Sequence, residues 1–192
     1  MALVSPPTLR LLLLGLALTG CSATTTETLR LPPLRTVPSV DLERYVGTWY
    51  EIASYPQSFQ EGCTATTAEY TAREDGEIDV VNRCRKGGLD GPLSEARGRA
   101  RVVDRETHAK LEVSFFPLAW GEYWIIELAP DYRYAVVGHP SRDYLWILSR
   151  TPSLEQETFD AIRARLEEQG YPLDRLVVTP QPTPEIPSAD GR

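Results

Sequence analysis

The chain has 192 residues, room for one domain with tails, and its 24% charged and 42% hydrophobic content is that of an ordinary globular protein. Lys and Arg total 20 against 27 Asp and Glu, a net charge of −7, which argues against a nucleic-acid surface because that needs clustered positive charge. Two histidines and three cysteines are too few for the usual zinc sets, so no metal or other cofactor is expected.

Residues 1–20 have the layout of a signal peptide. Arg10 supplies the positive charge, Leu11–Leu18 the apolar stretch, and Thr19-Gly20 the small residues before a cut. The apolar stretch is far shorter than the ~20 residues a membrane-spanning helix needs. Cys21 comes next, and Leu18-Thr19-Gly20-Cys21 resembles the lipobox of bacterial lipoproteins. In that motif the thiol is diacylated, the chain is cut before the cysteine, and the new amine is acylated. The alternative is an ordinary secretory signal with a chance cysteine. Each buried CH₂ adds ~0.8 kcal/mol of membrane affinity, so more than one acyl chain on Cys21 makes a stable anchor. Ser22, where an Asp would favour inner-membrane retention, points to the outer membrane of a Gram-negative bacterium, with the domain on the periplasmic side. Residues 21–38 are expected to form the lipidated N-terminus and a flexible tether, since Ser22–Pro38 is rich in Thr and Pro with no apolar period.

From residue 39 to 179 the pattern is mostly that of strands. β-Branched and aromatic runs occur at Thr48–Ser54, Thr64–Ala72, Glu77–Arg85, Glu95–Asp104, Lys110–Phe116, Glu122–Leu128, Arg133–His139 and Tyr144–Ser149. Turn signals separate them, including Glu74-Asp75-Gly76, Gly87-Gly88 and His139-Pro140-Ser141. No helical period intervenes, so a parallel sheet with crossover helices is disfavoured. Hairpin-linked short strands point to an antiparallel sandwich or an up-and-down barrel. The period then changes. Ser153 and Gln156 are placed for a capping box, Phe159, Ile162 and Leu166 follow at helical spacing, and Gly170 is a natural stop. Leu176-Val177-Val178 is a short last strand, and residues 180–192 are expected to be a disordered Pro-rich tail.

Three motifs in order tie the segment 39–179 to a family. Gly47-Thr48-Trp49 opens the first strand, Asp131-Tyr132 lies between the sixth and seventh, and Arg150 follows the last barrel strand. These resemble the three motifs of the lipocalins. Gly47–Ser54, Ala68-Glu69-Tyr70, Lys110–Phe116 and Asp143–Pro152 look particularly like the bacterial outer-membrane lipoprotein lipocalins and their apolipoprotein D-like relatives. The resemblance implies an all-β fold: an up-and-down antiparallel barrel of eight strands, a calyx, with one C-terminal helix packed outside. Trp49 is then expected to plug the closed end with the Arg150 guanidinium on its indole, a contact worth ~0.5–2 kcal/mol. Leu145 and Ile147 should face out beneath the helix, and Trp146 and Leu148 should face in, because strand side chains alternate.

Such a barrel holds one small ligand. In the fourth strand Ala96, Gly98, Ala100 and Val102 form one face and Arg97, Arg99 and Arg101 the other. The small face is expected inward; the rival arrangement would aim three costly buried charges at an anionic headgroup. The apolipoprotein D-like resemblance implies pocket roles for Tyr70, Asn82 and Trp146. Alternation alone adds Tyr123, Ile125 and Glu51, the last being either a neutral acid near the ligand or a residue paired at the barrel floor. A mainly apolar lumen with a few polar groups suits a fatty acid or a lysophospholipid. Cys63 and Cys84 remain after Cys21, an even pair in an exported protein, and are expected to form a disulfide. Cys63 differs in parity from Tyr70, which a bulge, or Cys63 lying just before the strand, would reconcile. Binding and transport of a hydrophobic ligand, without enzymatic activity, is the expectation. The alternatives are a lipid-acting enzyme using Cys63 or Glu51 and a structural lipoprotein with a filled barrel.

Overall fold

The computed structural model describes residues 31–183. The signal-peptide layout, Cys21, the first part of the tether and the end of the Pro-rich tail lie outside the described residues. A one-turn helix α1 (Leu42–Tyr45) precedes the barrel strands β1 (Gly47–Ser54), β2 (Cys63–Ala72), β3 (Ile78–Lys86), β4 (Leu93–Val102), β5 (Lys110–Phe116), β6 (Ala119–Leu128), β7 (Tyr134–Gly138) and β8 (Leu145–Ser149). Helix α2 (Gln156–Glu168) and a two-residue strand β9 (Val177–Val178) complete the order.

Every neighbouring pair is antiparallel, from β2 through β8 to β1, and β1 closes back on β2. The up-and-down path places the β1–β2, β3–β4, β5–β6 and β7–β8 connections at one end, the mouth. Helix α1 and the β2–β3, β4–β5 and β6–β7 turns lie at the other. Alternation divides the apolar side chains into two cores. Trp49, Tyr70, Ile78, Val80, Leu111, Ile125, Val137 and Leu148 pack inside the barrel. Leu145, Ile147, Val136 and Ile126 face outward against Ile162 and Leu166 of α2. Burying Ile162 and Leu166 stabilises that clamp by about 1.5–3 kcal/mol each.

The fourth strand takes the expected facing. Ala100 is in the inner core, whereas Arg97, Arg99 and Arg101 pair outside with Glu95, Glu77 and Glu112. Gly98 is required there, because a Cβ would sit 2.4 Å from the Ser114 carbonyl oxygen and 2.7 Å from Phe115. The parity conflict between Cys63 and Tyr70 is resolved by a bulge: pairing with β3 shifts register between Thr64 and Thr67, with Ala65 at φ 48°. On the mouth side of that bulge Cys63 and Cys84 form a disulfide, S–S 2.08 Å.

Four expectations change. Helix α1 has no counterpart in the strand reading; Asp41 caps it, its Oδ1 accepting from the Glu43 and Arg44 amides. The Ser153–Gln156 capping box does not form. Helix α2 starts from Glu155 without a side-chain cap. The Ser153 carbonyl instead accepts from the Ser149 and Thr151 hydroxyls, and Gln156 donates forward to Asp160. Residues 31–38, expected in the tether, lie along the domain: Leu34 is buried and the Val37 amide donates to the Ile125 carbonyl. Residues 180–181, expected in the tail, are held as well. The Pro180 carbonyl accepts from the Ala65 amide, and Gln181 donates to the carbonyls of Glu51 and Thr66. The C-terminal contacts have one cause. Where β1 and β2 part above Tyr50, their edges keep unpaired backbone groups, and the C-terminal segment fills that seam.

Candidate functional site

The closed end is built from the motif residues. Gly47 starts β1 at φ 95°, a conformation glycine adopts without strain, and an added Cβ would press on the Arg150 guanidinium at 3.4 Å. Trp49 is fully buried and donates through Nε1 to the Tyr45 carbonyl. The Arg150 guanidinium lies 3.7 Å over the Trp49 ring. It also donates to the carbonyls of Arg44, Tyr45, Val46 and Thr48. The carbonyls of Arg44, Tyr45 and Val46 at the end of α1 have no helical partner of their own, so Arg150 caps α1 and, through Thr48, ties it to β1 at the barrel floor. Tyr132 serves the same closure. Its hydroxyl accepts from the Asp41 amide, and Arg44 stacks on its ring.

Beside Trp49, with the Tyr45 ring 5.2 Å from it, three tyrosines fill the lower calyx. The hydroxyls of Tyr45 and Tyr123 share a hydrogen bond of 2.7 Å, and those of Tyr70 and Tyr123 one of 3.0 Å. Burial holds the Tyr45 and Tyr123 phenols well above the usual range and pushes Tyr70 up to about 12, so all three stay neutral. Tyr70, Tyr123 and Ile125 therefore face inward as alternation requires, at the level of a filled floor rather than an open chamber.

The upper calyx is different. Ala96 shares the inward face of β4 with Ala100, yet it is exposed, so the lumen communicates with solvent at that height. Asn82 pairs across the sheet with Ala68 and Ala96, on the face of Ile78 and Val80. Its Oδ1 is buried without a hydrogen-bond partner, as is the hydroxyl of Thr66, four residues from Tyr70 on β2. Trp146 stands half-buried by the mouth, stacked on Tyr144, its Nε1 donating 3.0 Å to Gln60 Oε1. Phe115 packs on the same inner core.

Glu51 lies in the upper half, not at the floor. It is 5% exposed; Oε1 accepts from Ser54 and Thr179 at 3.0 and 2.5 Å, and Oε2 from Gln60 at 2.8 Å. One carboxylate thus joins β1, the β1–β2 loop and the C-terminal segment, and borders a cleft of about 450 Å³ between the last two. Through Gln60 it is linked to Trp146. The enzymatic use of Cys63 has no thiol to work with, because Cys63 is joined to Cys84. Tyr45, Gln60 and Thr179 escape sequence reasoning as members of these networks. Gln60 sits in a loop without periodicity, and Tyr45 was recoverable only by treating Asp41 as a helix cap.

The chain matches the model of the "Lipocalin-like domain" over residues 40–181. It is similar to "Outer membrane lipoprotein Blc" of Vibrio cholerae, 38% identical over 173 residues, covering 89% of this chain and 96% of that one. Its identity with "Temperature-induced lipocalin-1" of Arabidopsis thaliana is 40% over 157 residues, covering 77% and 83%. Among solved structures, insecticyanin from the tobacco hornworm Manduca sexta superposes with a TM-score of 0.62 at 22% identity, covering 78% of this chain and 85% of that one. At that identity the superposition speaks for the fold alone.

Proposed function

The chain belongs to the lipocalin family, and from that premise we propose that it is a membrane-anchored lipocalin whose upper calyx takes up a fatty acid or a lysophospholipid. The observation that carries this reading is the set of buried polar atoms without partners among the described residues: Asn82 Oδ1, the Thr66 hydroxyl and, on the C-terminal segment that binds the Thr66 carbonyl, Gln181 Oε1; the first two lie on strands that line the barrel. A buried polar group left unpaired costs ~1–3 kcal/mol, which a ligand group of matching polarity recovers. The two strand atoms have complementary needs. Asn82 Oδ1 accepts only, and a glycerol hydroxyl donates to it. The Thr66 hydroxyl can donate to an ester carbonyl or a carboxylate. A lysophospholipid satisfies both, whereas a fatty acid carboxylate satisfies one. Phe115 and Trp146 supply apolar wall for the acyl chain, and the tyrosine floor limits its depth.

The relative named an outer membrane lipoprotein supports the corresponding placement. The lipobox-like string ending at Cys21, followed by Ser22, supports an anchor in that membrane with the domain in the periplasm.

Native mass spectrometry after mild delipidation is expected to retain a lipid of acyl-chain mass. Tryptophan emission should titrate with added ligand. Each buried methylene contributes ~0.8 kcal/mol, so affinity should climb with chain length and then level where the floor stops the chain. Trp146→Ala should remove most of the signal, and Asn82→Leu should weaken lysophospholipid more than fatty acid of equal length. No binding at any chain length would sink the carrier reading; an unchanged signal in Trp146→Ala would remove Trp146 from the site.

A further inference from the structure

Among the described residues nine large apolar side chains are exposed; two, Val177 and Val178, lie beside Ser54 and Ala53 toward the mouth, and six more gather around the mouth itself: Leu31, Phe59, Leu89, Leu93, Phe116 and Leu118. These six belong to four separate stretches, namely the N-terminal segment, the β1–β2 connection and the β3–β4 and β5–β6 hairpins, with Leu93 the first residue of β4 and Phe116 the last of β5. Val103 alone occupies the closed end, and Val177 and Val178 lie on β9. Scattered exposed apolar residues need no explanation, but a set gathered on one rim from four stretches does. Leu118 is the extreme case. It is 98% exposed and sits at φ 67°, the left-handed region that a bulky residue avoids and that Asn or Gly would fill at lower cost.

A second, independent observation concerns where the chain joins the domain. Arg142, in the β7–β8 connection at the mouth, donates to the Pro32 carbonyl, to the Pro140 carbonyl and to the Gln169 carbonyl at the end of α2. Leu31 packs beside Gly170. From there the segment runs toward the closed end, where the Val40 amide donates to Thr107 in the β4–β5 turn. Whatever precedes residue 31 is therefore attached at the mouth. Nine residues lie between Cys21 and Leu31, so the span is at most about 35 Å of extended chain. That length leaves slack if the mouth faces the bilayer. It would be nearly consumed in passing a barrel whose longest strands, at ~3.3 Å per residue, are of comparable length.

We propose that the apolar loop tips around the mouth, chiefly Phe59, Leu93, Phe116 and Leu118, insert into the interface of the membrane, so that the calyx opens onto the lipid surface. The partner is the bilayer itself, held by apolar insertion rather than charge. The β5–β6 hairpin Ser114–Ala119 carries no charged residue, and the β3–β4 connection sets Asp90 against Lys86. Binding is therefore largely insensitive to salt, unlike attachment through a basic patch. The orientation relative to the anchor rests on the reading of Cys21 as the acylated residue, and the loop-tip contact does not.

The test uses the mature chain purified from membranes, in phosphatidylethanolamine–phosphatidylcholine vesicles that carry a nitroxide-labelled lipid. Leu118→Trp should gain an emission that the nitroxide quenches at least twofold, while Val103→Trp at the closed end should not. Equal quenching, or quenching of Val103→Trp alone, overturns the proposal. Intact mass reads the state of Cys21 separately. Where it shows no acyl groups, the Cys21 reading has failed, and the same chain is tested by flotation with vesicles. It should float, and Phe116→Ser with Leu118→Asn should lower the bound fraction about tenfold or more at both low and high salt. Failure to float, or flotation unchanged by the two substitutions, overturns the loop-tip contact. Leu118→Asn suits the left-handed backbone, so its melting temperature should hold or rise while binding falls. Sedimentation covers the rival occupant: a dimer that these substitutions dissociate, with no quenching of Leu118→Trp, would assign the rim to a second copy of the chain and refute the proposal.

Discussion

Arg150→Ala should destabilise the domain far more than it alters ligand choice. The substitution removes a guanidinium stacked 3.7 Å over Trp49 and four donated hydrogen bonds to carbonyls of Arg44, Tyr45, Val46 and Thr48. The stacking is worth ~0.5–2 kcal/mol. Hydrogen bonds to a charged group contribute ~1.5–3 kcal/mol each when the loss is complete. Half of the four involve an exposed residue, and water replaces the lost donor there. Counting two unreplaced bonds at the lower figure and an average stack gives about 4 kcal/mol. For a domain of roughly 150 residues each kcal/mol moves Tm by ~2–4 °C, so a drop of about 8–16 °C is expected. Arg150→Lys keeps a positive charge but not the fork that reaches several carbonyls at once, and should fall between. The assay is thermal unfolding followed by near-ultraviolet circular dichroism, in parallel with lipid titration at a temperature where each variant is folded. A Tm change below about 3 °C would refute the capping argument. Loss of lipid affinity with unchanged Tm would move Arg150 from the floor into the binding site.

Joint replacement of Cys63 and Cys84 by Ser opens a loop closed over a separation of 21 residues, and should cost about 3 kcal/mol in urea unfolding while leaving the barrel's circular dichroism intact. If Cys21 is the acylated residue proposed above, Cys21→Ala should release the protein from the membrane without unfolding the domain, since the barrel closes within strands β1 to β9; membrane fractionation with circular dichroism checks both, and a misfolded product would count against the separation of anchor and barrel. Hydrogen bonds from Arg73, Arg83 and Thr107 hold the carboxyls of Asp75, Glu95 and Asp104 below their ordinary values. A depressed carboxyl stabilises the fold above its unfolded pKa, near 4, and this is lost as pH falls, because the unfolded chain then binds more protons. Tm should therefore decline on acidification from pH 5 to pH 3, and a flat profile over that range would contradict the pairing.

Much of the site was legible because its residues lie on strands. A period of two is imposed by backbone geometry, so once Leu145 and Ile147 face the helix, Trp146 and Leu148 must face inward, and they do. The same rule set the small face of β4 inward and the arginines out to Glu77, Glu95 and Glu112. The parity conflict near Cys63 was visible too, but only the structure chose a bulge over a strand that starts after Cys63. Where the strands end, the rule stops. Gln60 reaches both Glu51 and Trp146 from a loop, and nothing periodic marks it. Parity put Glu51 on the face of Trp49, but its height and its partners Ser54, Gln60 and Thr179 come from different parts of the chain.

Sequence alone thus determined what depends on local geometry and composition: the order of strands, the single amphipathic helix, the two-sided alternation and the cysteine pair. Tertiary structure decided what depends on closure. Only when β1 meets both β8 and β2 does it become plain that the seam above Tyr50 needs the C-terminal segment, so that Thr179, Pro180 and Gln181 belong to the domain and not to a tail. Only closure stacks Tyr45, Tyr70 and Tyr123 into a floor and leaves Asn82 and Thr66 above it without partners. These are contacts across 50 to 130 residues of chain. A linear pattern carries no record of them, because the free energy that selects them comes from satisfying backbone and side-chain polar groups that the fold itself has removed from water.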